Sequence, residues 1–263
     1  MAYASGYLLF GRDGTLFAQP FDAKRLSLTG EAVPIAEQVQ RNPLTSSLIF
    51  SVSEQGVLAY LAGAGVGGTQ LSWFDRAGKL LGPLGDLARY NGSRLTPDGK
   101  RVAVSIFGPN SEDLWLFDVA TGRRTRFTFD PGQSRWPVWS PDGSRIVFAA
   151  NRKGNFELYQ KASSGAGSDE LLLESTLPKF PISFSPDGRL LLYYAFDPRT
   201  KADLWVLPLE GDRKPYPFLQ TNFDERYGQF SPDGHWVVYQ STESGREEIF
   251  ALPFPGPGGK RQI

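Results

Sequence analysis

The chain of 263 residues contains no cysteine. This excludes a disulfide framework, a thiol nucleophile and a cysteine-based zinc site. It is compatible with an oxidising compartment without establishing one. Histidine occurs once, as His235. It directly follows a turn motif, so no histidine metal centre is expected, and no metal or cofactor. Lys plus Arg equal Asp plus Glu at 28 each. A net charge near zero gives no reason to expect a nucleic acid or an anionic membrane surface as partner. No apolar run approaches the ~18 residues of a membrane-spanning helix. The opening "MAYASGYLLFGRDG" has neither a basic segment nor a long apolar stretch, so a signal peptide is not expected there.

Catalytic signatures are missing too. There is no G-x-S-x-G nucleophile elbow and no V-A-I-K, H-R-D or D-F-G set. "GAGVGG" at 63–68 matches G-x-G-x-x-G in letters. A phosphate loop must join a strand to a helix N-terminus. Here the segment joins "VLAYLA" to "QLSWFD" and reads as a hairpin loop. "GPGGK" at 256–260 lacks the Walker spacing.

What the chain has in abundance is repetition. "LTPDG" (95–99), "WSPDG" (139–143), "FSPDG" (184–188) and "FSPDG" (230–234) end on Gly99, Gly143, Gly188 and Gly234, at steps of 44, 45 and 46. "VSEQG" precedes them by 43, and "ASGYLLF" is a weaker first echo. A period in the forties is the signature of a four-stranded propeller blade. Each motif is followed by an apolar run, as in "RVAVSIF" and "LLLYYAF", and then by a second, as in "DLWLFDV" and "DLWVLPL". These runs are short, aromatic and β-branched, and are bounded by Gly, Asn, Asp and Pro. Helical periodicity is absent.

The expected fold is therefore all-β: a propeller of about six four-stranded antiparallel blades, the terminal ones incomplete or degenerate. It is read as a single domain over 1–263, with blades at roughly 1–45, 46–88, 89–132, 133–176, 177–222 and 223–263. Few residues precede the first apolar strand, and the chain stops in the last blade's fourth strand. A piece of a longer propeller is expected, and self-association through incomplete terminal blades stays open.

Pro sets φ at a turn corner, Asp bonds nearby N–H groups, and Gly accepts positive φ. Asp98–Gly99, Asp142–Gly143, Asp187–Gly188 and Asp233–Gly234 are thus read as hairpin turns joining the first and second strands of their blades. A catalytic group is needed once, whereas a turn is needed in every blade. A recurrent acid opens the third strand: Asp113, Glu157, Asp203 and Glu248. It serves either as a cation ring or as a bond to a neighbouring turn or blade.

Ahead of the first strands stand Arg89–Tyr90, Arg135–Trp136, Lys179–Phe180 and Arg226–Tyr227. A propeller would gather them at the mouth of its channel. Arg supplies a planar five-donor fork and the rings supply apolar faces. Such a set suits a peptide carboxylate, an anionic sugar or a phosphate. The competing reading is cation–π and inter-blade packing.

The S-P-D-G, strand, D/E-L-W/Y pattern resembles the TolB-type, WD40-like propeller repeats of bacteria. "GTLFAQPFD" (14–22), "WSPDGSRIVFAANRKGNFELYQK" (139–161), "DLWVLPLEGDRKPYPFLQT" (203–221) and "ESGREEIFALPFPGPGGK" (243–260) are similar to the C-terminal sensor propeller of bacterial eukaryotic-like serine/threonine kinases. The resemblance spans essentially the whole chain. It implies a non-enzymatic, extracytoplasmic binding domain for a protein, peptide or small anionic ligand at the channel or rim. Two alternatives accompany it: a TolB-like interaction scaffold, and the accessory propeller of a prolyl-oligopeptidase-type enzyme whose catalytic domain lies elsewhere. The pattern is specific for fold and weak for function.

Overall fold

In the computed structural model the described residues are 2–41, 47–53, 56–62, 68–108, 111–256 and 258–263. They form an all-β structure of the six-bladed propeller class, with no helix among them. The first sheet holds β1 (Ala2–Ala4), β2 (Tyr7–Arg12), β3 (Thr15–Asp22) and β4 (Ser27–Leu28), with β5 (Val33–Ala36) also paired to β3. The second holds β6 (Phe50–Val52), β7 (Leu58–Ala62), β8 (Thr69–Phe74) and β9 (Leu80–Ala88). The third holds β10 (Tyr90–Leu95), β11 (Arg101–Phe107), β12 (Glu112–Asp118) and β13 (Arg124–Arg126). The fourth holds β14 (Ser134–Trp139), β15 (Arg145–Ala150), β16 (Glu157–Ala162) and β17 (Glu170–Leu173). The fifth holds β18 (Lys179–Phe184), β19 (Leu190–Asp197), β20 (Lys201–Pro208) and β21 (Tyr216–Leu219). The sixth holds β22 (Glu225–Phe230), β23 (Trp236–Ser241), β24 (Glu248–Pro253) and β25 (Arg261–Gln262). Within each sheet the strands follow chain order, and strands joined by short hairpins pair antiparallel.

Two compact units make up the chain, Met1–Pro137 and Val138–Ile263. In the first, one apolar cluster joins sheets 1 and 2 through Leu9, Leu16, Phe50 and Tyr60. Another joins sheets 2 and 3 through Leu61, Leu71, Val104 and Phe117. The second unit shows why the strands read as nearly continuous apolar runs. On β19, Leu191, Tyr193 and Ala195 pack toward sheet 4 with Val147 and Leu158. Their neighbours Leu192 and Tyr194 pack toward sheet 6 with Val237, Tyr239 and Phe250. Successive side chains leave a strand on opposite faces, so a sheet covered on both sides needs apolar residues at both parities.

The four S/T-P-D-G segments share one bonding pattern. Gly99, Gly143, Gly188 and Gly234 donate their N–H to the carbonyls of Thr96, Ser140, Ser185 and Ser231 at 2.8–2.9 Å. Their φ angles lie between 68° and 73°. In each turn the Asp Oδ1 accepts the Ser or Thr hydroxyl at 2.5 Å. The same oxygen accepts the N–H two residues on, at 3.0–3.1 Å. The hydroxyl oxygen in turn accepts the N–H five residues on, at 2.9–3.0 Å. These bonds, the hydroxyl first, hold all four carboxyls below the usual carboxylate range, Asp142 at about 2. The turns also stack: Gly188 lies against Pro141, and Gly234 against Pro186.

Candidate functional site

The basic–aromatic residues lie within or directly beside the first strands. Lys179 opens β18. Arg135–Trp136 and Arg226–Tyr227 are the second and third residues of β14 and β22, and only Arg89 precedes its strand. Pairing begins earlier than the sequence suggests because the residues ahead of the bulge already bond to the second strand. Asn91 pairs with Ser105, Phe180 with Tyr194, and Arg226 with Gln240. Each of these three first strands then carries a bulge.

Counting back seven residues from the turn glycine reaches Gly92, Trp136, Pro181 and Tyr227 in turn. The four pairs are therefore not one structural position. Trp136 and Tyr227 share a register, while Tyr90 and Phe180 fall two and one residues before it. Trp136 and Tyr227 also share an unusual backbone, with φ of 54° and 53°, where the third sheet has Gly92 at 66°. The left-handed region suits glycine. A bulky side chain held there costs about 1–3 kcal/mol.

In the first unit, Tyr90 is buried, donates its hydroxyl to the Asp86 carbonyl at 2.5 Å and meets Phe117 edge-on at 6.4 Å. Arg89 is exposed and lies 5.0 Å over the Phe107 ring. Arg135 is buried. Its Nη2 stands 2.5 Å from Glu112 Oε2 and donates to Gln133 Oε1 at 2.5 Å. The guanidinium also sits 5.1 Å over the half-buried Trp136 ring. Glu112 is fully buried and accepts the Asn91 amide at 2.8 Å. Burial pushes its carboxyl up, against the pull of Arg135 and Asn91. Arg135 is thus engaged with an internal carboxylate.

In the second unit, Lys179 is buried and donates its ammonium to the Leu177 carbonyl at 3.1 Å. Burial lowers its pKa to about 8, with the charge of Glu157 opposing. Phe180 packs 5.5 Å from Phe156 and 4.9 Å from Tyr194. Arg226 keeps a fifth of its side chain exposed and grips Asp224 through two bonds, at 2.5 and 2.8 Å. It lies 6.0 Å from the Tyr194 ring and 5.9 Å from Phe196. Tyr227 is half-buried, and its hydroxyl has no hydrogen-bond partner among the described residues.

The third-strand acids are held inside their own sheets. Asp113 accepts Ser111 and Arg126, each at 2.8 Å. Glu157 accepts the Tyr159 hydroxyl at 3.2 Å, Asp203 accepts Thr200 at 2.6 Å, and Glu248 accepts Gln262 at 2.6 Å. His235 belongs to the turn of Asp233, which accepts its backbone N–H at 3.0 Å. No group of three or more metal-ligating side chains occurs among the described residues. "GAGVGG" lies outside the described residues except for Gly68, as does one residue of "GPGGK" and part of "VSEQG".

Glu112 and Asp224 were not singled out in the sequence. Glu112 had a readable signal: it doubles the recurrent acid as Glu112–Asp113, where the fourth and fifth sheets have Phe156 and Ala202. Asp224 stands in an acid pair directly before Arg226.

A protein of Agrobacterium fabrum of no described function is 25% identical to this chain over 254 residues, covering 89% of it and 80% of that protein. The crystal structure of TolB from Acinetobacter baumannii superposes with a TM-score of 0.65 at 18% identity, covering 97% of this chain and 82% of that one. A structure from a study of two prolyl endopeptidases superposes at 0.57 and 16% identity, covering 79% of this chain and 34% of that one. At these identities the two structures establish the fold alone. No helix among the described residues is long and apolar enough to cross a membrane. The family model of the TolB beta propeller domain matches residues 88–256, which is most of the chain and includes all four S/T-P-D-G turns, and the chain belongs to that family.

Proposed function

We propose that this chain is a non-catalytic, protein-binding propeller of the TolB kind, working outside the cytoplasm. Its contact residues are Trp136 in the first unit and Tyr227 in the second, each near the start of the first strand of its own sheet. The observation that carries this reading is the pair Trp136 and Tyr227. Each is an aromatic residue in the left-handed region at the same register of its sheet, each follows an arginine, and each ring is half-buried. Strain at repeated positions is a pointer to function when a strain-free residue serves elsewhere, as Gly92 does in the third sheet. Aromatic rings beside guanidinium groups are the residues most enriched at binding hot spots.

A kinase-sensor role is a narrower form of the same reading and rests on the sequence resemblance. The accessory role in a peptidase rests on a likeness of fold.

Glycine is the suitable test substitution, because it removes the ring and relaxes the backbone together. Trp136→Gly and Tyr227→Gly are expected to fold with unchanged or raised melting temperature. Each is expected to weaken binding of a partner peptide or protein at least tenfold. A thermal-shift panel of short peptides, cell-wall fragments, anionic sugars and nucleotides supplies the ligands, since ligands of the folded state raise its melting temperature. Binding that survives both substitutions would overturn this assignment of the surface.

A further inference from the structure

The second unit contains one junction twice, with opposite chemistry. Counting back nine residues from the turn glycine reaches Lys179 in sheet 5 and Glu225 in sheet 6. The third-strand acid of the preceding sheet holds a matching place each time. Glu157 pairs with Ala150 and Asp203 with Ala195, each partner seven residues past its turn glycine. Between sheets 4 and 5 the junction sets an acid, Glu157, beside an ammonium, Lys179, whose charge it favours. Between sheets 5 and 6 it sets two acids together, Asp203 and Glu225, and both are fully buried.

Only one oxygen of each acid is satisfied. Asp203 Oδ2 accepts the Thr200 hydroxyl at 2.6 Å and the Gln220 amide at 3.4 Å. Glu225 Oε1 accepts the hydroxyls of Thr221 at 2.5 Å and Ser241 at 3.5 Å. Gln220 and Thr221 are consecutive, so one short segment brings the two carboxyls together. Asp203 Oδ1 and Glu225 Oε2 are buried with no hydrogen-bond partner among the described residues, and so is the Tyr239 hydroxyl. Tyr239 is two residues from Ser241, the cross-strand partner of Glu225, and therefore stands on the same face of sheet 6.

The surrounding charges do not compensate the two acids. Burial pushes the Glu225 carboxyl up, the Thr221 hydroxyl opposes this, and the charges of Asp203 and Asp224 add to the rise. Burial likewise raises the Tyr239 hydroxyl, with Glu243 and Glu225 acting the same way. Of the neighbouring cations, Arg226 holds Asp224, Arg246 holds Glu248 and Lys260 holds Glu243. Two carboxylates set close together away from water do not both ionise. A hard divalent cation would take about six to eight oxygens, and no group of three or more metal-ligating side chains occurs among the described residues. One proton, by contrast, supplies the donor that the two unpartnered oxygens lack.

We infer that Asp203 and Glu225 share a single proton, carried on Glu225 Oε2 and donated to Asp203 Oδ1, and that this proton is a pH-sensitive latch between sheets 5 and 6. Its loss leaves two buried like charges and loosens the junction at the start of β22. The latch does not depend on the role given to Tyr227. The folded chain keeps this proton where an unfolded glutamate, with its ordinary value of 4.5, has released it. The latch's stability is therefore complete below that value and is lost as pH rises through the folded one.

The test is denaturant unfolding of the full chain from pH 5 to pH 9, beside Glu225→Gln. Glutamine keeps the shape and a donor of the protonated acid and does not titrate. The two chains are expected to unfold alike at pH 5. By pH 9 the parent's unfolding equilibrium constant should have risen at least tenfold relative to the variant's. Asp203→Asn removes the like charge and should give a shallower pH dependence than the parent. Should Glu225→Gln fail to fold, the carboxyl-carbon resonance of Glu225 in the unmutated chain gives the same answer, since it is expected to titrate above pH 5. Equal pH dependence in parent and Glu225→Gln, or a Glu225 resonance that is ionised throughout, would overturn the latch. So would calcium raising the parent's unfolding midpoint but not that of Glu225→Gln, because a bound cation would then be compensating the pair.

Discussion

Arg135 and Arg226 stand at one register of two sheets, each followed by an aromatic residue with positive φ. Their surroundings are opposite. Arg135 has 5% of its side chain exposed and faces a carboxylate with none exposed, on the third strand of the preceding sheet. Arg226 has 20% exposed and grips Asp224, two residues away in sequence and 22% exposed. The same letter in the same place is an internal lock in one sheet and a partly solvated clamp in the other. Whether the preceding sheet offers a buried acid decides which. It offers Glu112 to Arg135, and at the matching position of the fifth sheet it has Ala202.

The largest effect that would test this contrast is at Arg135. Arg135→Ala leaves Glu112 buried without its cation. Breaking a buried pair from one side costs about 3–5 kcal/mol. Denaturant unfolding should show that loss, and Glu112→Gln in the same chain should recover a substantial part. A loss no larger than that of Arg226→Ala would erase the distinction between the two arginines.

Next in size is Gly188→Val. It places a β-branched residue at a φ of 72° and a Cβ 3.5 Å from Pro141, for an expected loss of about 1–3 kcal/mol. This separates the contribution of the stacked turns from that of the ion pairs. An unchanged melting temperature would show that the stack is not a source of stability.

Lys179 sharpens the comparison through pH. Its folded pKa, about 8, lies below the ordinary value of 10.5 because burial disfavours the ammonium. Between those values the unfolded chain binds more protons than the folded one. The sign of the linkage then makes this residue's contribution rise with pH from about 8 to 10.5. Unfolding free energies measured at pH 7.5 and pH 10 should differ by less in Lys179→Met than in the parent chain. An equal pH response in the two would rule out a buried, titrating ammonium.

The smallest effect is expected at Arg226. A partly exposed pair contributes at most about 1 kcal/mol, so Arg226→Ala should lose that or less, and the loss should shrink with added salt. A salt-independent loss comparable to that of Arg135→Ala would place Arg226 with the internal locks.

The fold could be read directly from the period. Four copies of S/T-P-D-G at steps of 44–46, each followed by two apolar runs, specify repeated hairpins, and repeated hairpins of that length specify blades. The turn chemistry could be read as well for Pro, Asp and Gly. The hydroxyl's part was not anticipated. Thr96, Ser140, Ser185 and Ser231 donate to the aspartate and accept the N–H that opens the second strand. That double role accounts for Ser or Thr at the head of the motif. The basic–aromatic residues were visible as a pattern, but letters could not separate their fates. Tyr90 and Phe180 are drawn into packing, whereas Trp136 and Tyr227, at a register one or two residues further along the strand, take up positive φ.

The sequence alone determined the all-β class, the repeat, the hairpin turns and the need for apolar residues on both faces of each strand. All of these follow from local backbone preferences and from the alternation of side chains along a strand. Tertiary structure decided which charges are internal. Burial and partners belong to the sheet a residue packs against, and that sheet is some forty residues away in sequence. It likewise decided that Arg76 donates to Ser5, because the two residues meet only when the first and second sheets come together.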